Sequence, residues 1–129
     1  MSDKDEIREL LARYCFALDD GRFEEMAELF VPDGVWETGF GTGRGRTGIV
    51  AQAERILAGE KPRRVHLTSN IVIDLEGDTA AARSNWLMFA NSPAGPVIGF
   101  GGAYFDQLVK VEGRWFFHHR RIDGFVKPD

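Results

Sequence analysis

VHLTSNIVIDLEGDTAAARSNWLMFAN, residues 65–91, is the stretch that decides the fold. Its two runs, 65–75 and 79–91, are rich in β-branched and apolar residues. Only Glu76-Gly77-Asp78 separates them, a connection short enough to demand an antiparallel hairpin. Two more such runs follow at 97–111 and 114–126, across 92–96 and Glu112-Gly113. The C-terminal half therefore reads as a four-stranded antiparallel meander. Gly99, Gly101 and Gly102 inside the third run predict a bend, because glycine within a strand often marks a bulge.

Upstream of Lys61-Pro62 the hydrophobic period is helical. Ile7, Leu10, Leu11, Tyr14, Cys15 and Leu18 line one side of a first helix that ends at Asp19-Asp20-Gly21. Phe23, Met26, Ala27 and Phe30 form the stripe of a second helix, stopped by Pro32-Asp33-Gly34. A short strand at 35–38 and a glycine-rich loop at 39–48 lead to a third helix carrying Ile49, Val50, Ala53, Ile56 and Leu57, with Thr47 as its expected N-cap. Helices first and a meander afterwards make an α+β protein, its helices laid against one face of a curved sheet. With 129 residues, a single domain spanning 1–129 is expected.

A net charge of −4 with no basic tract argues against a nucleic-acid partner. The acidic, helical N-terminus is unlike a signal peptide, and no apolar run approaches a membrane span, so the expected location is the cytoplasm with no membrane partner. Cys15 is the single cysteine, which excludes an intrachain disulfide.

Few residues carry chemistry. Asp19 follows Tyr14 by five positions, about 140° further round the helix, beside the apolar stripe and next to Cys15. A helix-ending turn is the local alternative for this aspartate. Alternation from residue 65 places His66, Thr68 and Asn70 on one face and Val65, Leu67, Ser69 and Ile71 on the other. A polar series on a face covered by helices needs solvent or a pocket, and an imidazole in a pocket can move protons.

Gly43-Arg44-Gly45-Arg46-Thr47-Gly48 matches a dinucleotide fingerprint in form, but the parallel βαβ context is missing. Arg44 and Arg46 are then available to an anionic substrate at a pocket rim. His118 and His119 are adjacent on a strand and should point to opposite faces, so no metal site is expected from them. Cys15 in an apolar stripe reads as a small hydrophobe. One of Arg120 and Arg121 must face the core side, and Arg121 is assigned to the substrate.

The segments IRELLARYCFALDDGRFEEMAELFVPDGVWE (7–37), HLTSNIVIDLEGDTAAA (66–82) and GRWFFHHRRI (113–122) together resemble the SnoaL-like branch of the nuclear transport factor 2-like superfamily, over nearly the whole chain. The resemblance implies a cone-shaped curved sheet, antiparallel or mixed, closed by about three N-terminal helices around a deep apolar pocket. Scytalone dehydratase, bile-acid 7α-dehydratase and hexachlorocyclohexane dehydrochlorinase of that superfamily set an Asp of the first helix against a His at the start of a strand. Asp19 and His66 match those positions, and Tyr14 matches a first-helix Tyr of the two dehydratases. The further acid–base group of the dehydratases would fall on Ser84-Asn85-Trp86-Leu87-Met88-Phe89, which offers neither His nor Asp. Steroid Δ-isomerase, of the same fold, would place its base near Thr38 and its acid near Gly102 or Ala103, so its chemistry is not matched.

The expectation is a cofactor-independent, dehydratase-like lyase. His66 takes a proton beside the leaving group, Asp19 holds and stabilises the imidazolium, and Tyr14 bonds a carbonyl or leaving oxygen. Trp36, Asn85, Trp86, Met88 and Arg121 would receive a small hydrophobic or aromatic molecule. The alternatives are a ligand-binding or assembly module with the same cavity, or an isomerase or cyclase acting on a polyketide- or steroid-like substrate. Phe100, Tyr104, Phe105, Trp115, Phe116, Phe117 and Phe125 exceed the needs of one small core, which predicts self-association through the outer sheet face as a homodimer or homotrimer.

Overall fold

The structure, a computed structural model, describes residues 1–57, 59 and 64–127. Helix α1 (Asp3–Asp19) starts where the Ser2 hydroxyl accepts from the Asp5 N–H at 3.1 Å. It ends at Gly21, with φ +72°, where the Gly21 and Arg22 N–H groups close onto the Leu18 and Ala17 carbonyls. The whole predicted stripe of α1 is buried.

Helix α2 (Phe23–Glu28) is shorter than expected, because strand β1 (Phe30–Thr38) takes over at Phe30 and runs through Pro32-Asp33-Gly34. Phe30 pairs with Phe117 and Val35 with His119, so residues 31–34 bulge out of the ladder, where a proline's missing N–H is tolerated. The chain turns at Gly39-Phe40 into β2 (Gly41–Arg44), which makes part of the expected loop a strand. Helix α3 (Gly45–Leu57) starts before Thr47, so Thr47 lies inside the helix and does not cap it.

The meander forms as expected: β3 (Arg64–Glu76), β4 (Thr79–Ser92), β5 (Gly95–Val111) and β6 (Arg114–Val126). The change of period expected at Lys61-Pro62 lies outside the described residues. The six strands form one sheet in the order β2-β1-β6-β5-β4-β3, with β1 and β6 parallel and the other neighbours antiparallel. Register shifts fall at Gly99 and between Gly101 and Gly102, where the glycines predicted a bend. A Cβ on Gly102 would lie 1.9 Å from the Asp123 carbonyl oxygen, so only glycine lets β5 and β6 approach there.

The helices cover the inner face of this sheet, packing α1 on β3 and β6 and α3 on β1 and β2. Tyr104, Trp115 and Phe117 belong to that core and are no surplus. Phe105 lies beneath Arg83 and Arg121, Phe116 beneath Arg114, and Phe125 is exposed. Apart from Phe125, the large exposed apolar residues of the strands are aliphatic, including Val65, Leu67 and Val72 on the edge strand β3.

Candidate active site

Asp19 is the last residue of α1, at the negative end of the helix dipole, where a carboxylate is disfavoured unless donors meet it. His66 supplies two. Its backbone N–H donates to Asp19 Oδ2 at 2.8 Å, and its ring Nδ1 lies 2.5 Å from Asp19 Oδ1. The two side chains are only 8% and 7% exposed. With the Nδ1 proton shared with Asp19, the ring presents Nε2 as a lone pair, the form in which an imidazole accepts a proton.

Register sets what surrounds this pair. His66 lies opposite Met88 and Thr68 opposite Trp86, so all four share the inner face. The Trp86 ring stands 6.0 Å from the His66 ring and 5.9 Å from the Tyr104 ring, and its indole N–H is anchored on the Asp123 carbonyl at 3.2 Å. Thr68 Oγ1 is 3.3 Å from Cys15 Sγ. Burial pushes the Cys15 thiol up, which keeps it protonated. Asn70 does not continue the polar series, because its φ of 54° sits in a register shift between Ser69 and Val72.

Tyr14 is fully buried one layer deeper. The Trp36 indole N–H donates to its oxygen at 2.9 Å, and its ring meets Tyr104 and Phe117 edge-on at 5.9 and 5.8 Å. Burial holds the phenol well above its ordinary range, against the pull of the Arg120 charge. A protonated phenol that already accepts from Trp36 keeps its own O–H as a donor.

Two of the sequence-assigned binding residues face away. Asn85 pairs with Ser69 and Ala103 and is exposed on the outer face, out of phase with Trp86. Arg121 sits opposite Phe105, stacks over its ring at 4.2 Å, and holds Asp123 at 2.6 and 2.7 Å. Simple alternation from Phe117 would turn Arg121 inward. However, Phe117 pairs with Leu108 and His119 with Gln107, so the extra residue His118 inverts the phase and Arg120 takes the inner position. The same bulge corrects the histidines: His118 and His119 both line grooves of the outer face, and His119 Nε2 lies 3.0 Å from Glu37 Oε1.

Arg120 was missed by the sequence reading, together with its partner. It is fully buried, bound to both Asp106 oxygens at 2.8 and 3.0 Å, and caged by the Tyr104, Tyr14 and Phe117 rings at 3.6, 4.2 and 4.6 Å. Its Nη1 and the Ser84 hydroxyl are buried without a hydrogen-bond partner among the described residues. Arg46 donates twice to the Phe30 carbonyl, at 3.0 and 2.8 Å, which makes it a brace between α3 and β1. Two open grooves of about 630 and 520 Å³ lie on the outer face, away from Asp19 and His66. No helix among the described residues is long and apolar enough to cross a membrane.

The curved mixed sheet packed by N-terminal helices is a nuclear transport factor 2-like, cystatin-like fold. The chain belongs to the SnoaL-like domain family, whose model matches residues 1–121. This family includes polyketide cyclases and dehydratases. An uncharacterised protein of Mycobacterium tuberculosis is 30% identical over 119 residues, covering 89% of this chain and 80% of that one. A Catenulispora acidiphila protein solved in complex with S-DNPA is 30% identical, with a TM-score of 0.85 and coverage of 94% and 92%. A Novosphingobium aromaticivorans protein described as a candidate scytalone dehydratase is 29% identical, with a TM-score of 0.83 and coverage of 96% and 85%.

Proposed function

We propose that this protein is a cofactor-independent lyase of the dehydratase type, acting in the cytoplasm as a single domain on a small hydrophobic or aromatic molecule. The observation that supports the reading is the buried Asp19–His66 bond, which occupies Nδ1 and leaves Nε2 as the nitrogen available to act as a base. In the elimination, Nε2 takes a proton from carbon and the C–H electron pair becomes the new double bond. The leaving group departs with its own pair, and Asp19 stabilises the imidazolium so formed. Tyr14 donates to a carbonyl or leaving oxygen, with Arg120 behind its ring as the nearest buried cation.

Trp86 and Met88 flank His66, and Trp36 fixes Tyr14. The Trp86 and Tyr104 rings lie between His66 and Tyr14, surroundings that suit an aromatic or otherwise apolar substrate. A small-molecule ligand is also found in the Catenulispora acidiphila relative. The outer face, with Val65, Leu67 and Val72 exposed, is the surface we assign to self-association. A second reading, a binding module without turnover, is favoured by one observation: inward Ala82, Ser84, Trp86 and Met88 give β4 no second acid–base group.

Variant kinetics separate the two. On a substrate that the wild type turns over, His66→Ala should lower the rate by about 10²–10⁴ with affinity held within about tenfold. Asp19→Asn should act in the same direction, and the double variant should fall far short of the product of the two losses. Loss of binding alone in all three would favour the binding module over the lyase.

A further inference from the structure

We propose that Phe40 is the entrance residue of the Asp19–His66 site, a ring that closes on Phe100 and sets which molecules reach His66. This proposal rests on the reading of that pair as the place where a substrate reacts.

The His66 side chain is only 8% exposed, so a molecule reaches Nε2 only if something gives way. Register names what lies along one approach. His66 of β3 is opposite Met88 of β4, and Met88 is opposite Phe100 of β5, so the three side chains form a row across the inner face. Phe40, in the turn between β1 and β2, meets the far end of that row edge-on, its ring 6.5 Å from the Phe100 ring at 89°. Burial falls along the row in the same order. Met88 and Phe100 are partly buried against the core, and Phe40 is 63% exposed. The row therefore runs from the site to solvent.

The turn holds the Phe40 backbone in place. The Phe40 N–H donates to the Thr38 hydroxyl at 3.0 Å, that hydroxyl donates to the Gly41 carbonyl at 3.0 Å, and Arg55 of α3 donates to the Phe40 carbonyl. Its side chain, in contrast, meets no aromatic ring other than Phe100 among the described residues. A ring held by one edge-to-face contact swings away by rotation about its own side-chain bonds, with every strand left paired. Met88, next in the row, is an unbranched thioether that repacks readily. Apolar and aromatic molecules are favoured at such an entrance, because they replace the ring contact that opening breaks. An edge-to-face aromatic pair shifts an open–closed equilibrium by a factor of about 2–12.

The test is the rate at which diethyl pyrocarbonate modifies each histidine of the full-length protein, read by peptide mass spectrometry without substrate. Rates are compared well below the melting midpoint of each variant, so that unfolding of the whole chain does not contribute. In Phe40→Ala, His66 should react about 2–12-fold faster than in the wild type. In Phe40→Trp, which keeps an aromatic ring at this position, it should react no faster than in the wild type. His118 and His119, on the outer face, should keep their rates in both. Phe125→Ala, which removes another exposed ring, should leave His66 unchanged. A His66 rate in Phe40→Ala within about 1.5-fold of wild type, or an equal rise in Phe40→Trp or Phe125→Ala, overturns the proposal. Such a result leaves His66 standing as a base, whereas failure of the base reading shows as wild-type turnover by His66→Ala.

Discussion

Replacing Asp106 by Asn should be among the most damaging conservative changes in this protein. The Arg120–Asp106 pair has no exposed side-chain surface, and both carboxylate oxygens are used, at 2.8 and 3.0 Å. An amide keeps the shape but cannot balance the guanidinium, which stays charged because it does not deprotonate in proteins. Removing one partner of a buried pair costs about 3–5 kcal/mol. A chain of this size unfolds with about 0.27 kcal/mol/K of entropy, so the midpoint of thermal unfolding should fall by about 11–18 °C. Replacing both partners, Asp106→Leu with Arg120→Met, removes the uncompensated charge. The double variant should therefore be more stable than Asp106→Asn, with the lost ring contacts, about 0.5–2 kcal/mol each, setting its remaining deficit. Urea denaturation and calorimetry of the wild type and both variants give the comparison. A cost below about 1 kcal/mol for Asp106→Asn, or a double variant less stable than the single one, would refute the idea that Arg120 depends on Asp106 for its burial.

Stability should also fall on the alkaline side. Tyr14 and Tyr104 have folded values raised above 10.0 and Cys15 above 9.0, all chiefly by burial, so the unfolded chain loses these protons first. Stability is thus unaffected by these groups below pH 9 and declines above it, by up to about 1.4 kcal/mol per pH unit for each tyrosine past its ordinary value. Chemical denaturation between pH 8 and 11 should show a slope that Tyr104→Phe reduces; an unchanged slope would count against the buried phenols as its source. On the site itself, Asn85→Ala and Arg121→Ala, both outer-face changes, should leave kcat/KM within about twofold, while Trp86→Ala should lower it by an order of magnitude or more. The reverse pattern would put the substrate on the wrong face.

The meander was legible because its turns are short and its strands alternate, and α1 was legible because its stripe is regular. Periodicity set Asp19 at the end of α1 and His66 near the start of β3, but that the two should meet was expected only from the resemblance to the SnoaL-like family. What could not be read were insertions of single residues. Pro32-Asp33-Gly34 has the composition of a helix stop but is absorbed as a bulge in β1. The extra residue at His118 is chemically silent in the sequence, yet it decides whether Arg120 or Arg121 faces the core. Likewise the Asn70 bulge removes that side chain from the polar face. Bulges depend on pairing with a partner strand, which local periodicity does not contain. The Arg120–Asp106 pair was missed for the same reason, since its two members are joined only through the β5–β6 register.

The central claim is that His66 Nε2 removes a proton from carbon, and proton transfer itself can be measured. With a turned-over substrate deuterated at the carbon next to the leaving group, the wild type should release deuterium to solvent in step with product, and His66→Ala should slow that release by about 10²–10⁴. Deuterium release at the wild-type rate without the imidazole would contradict the account.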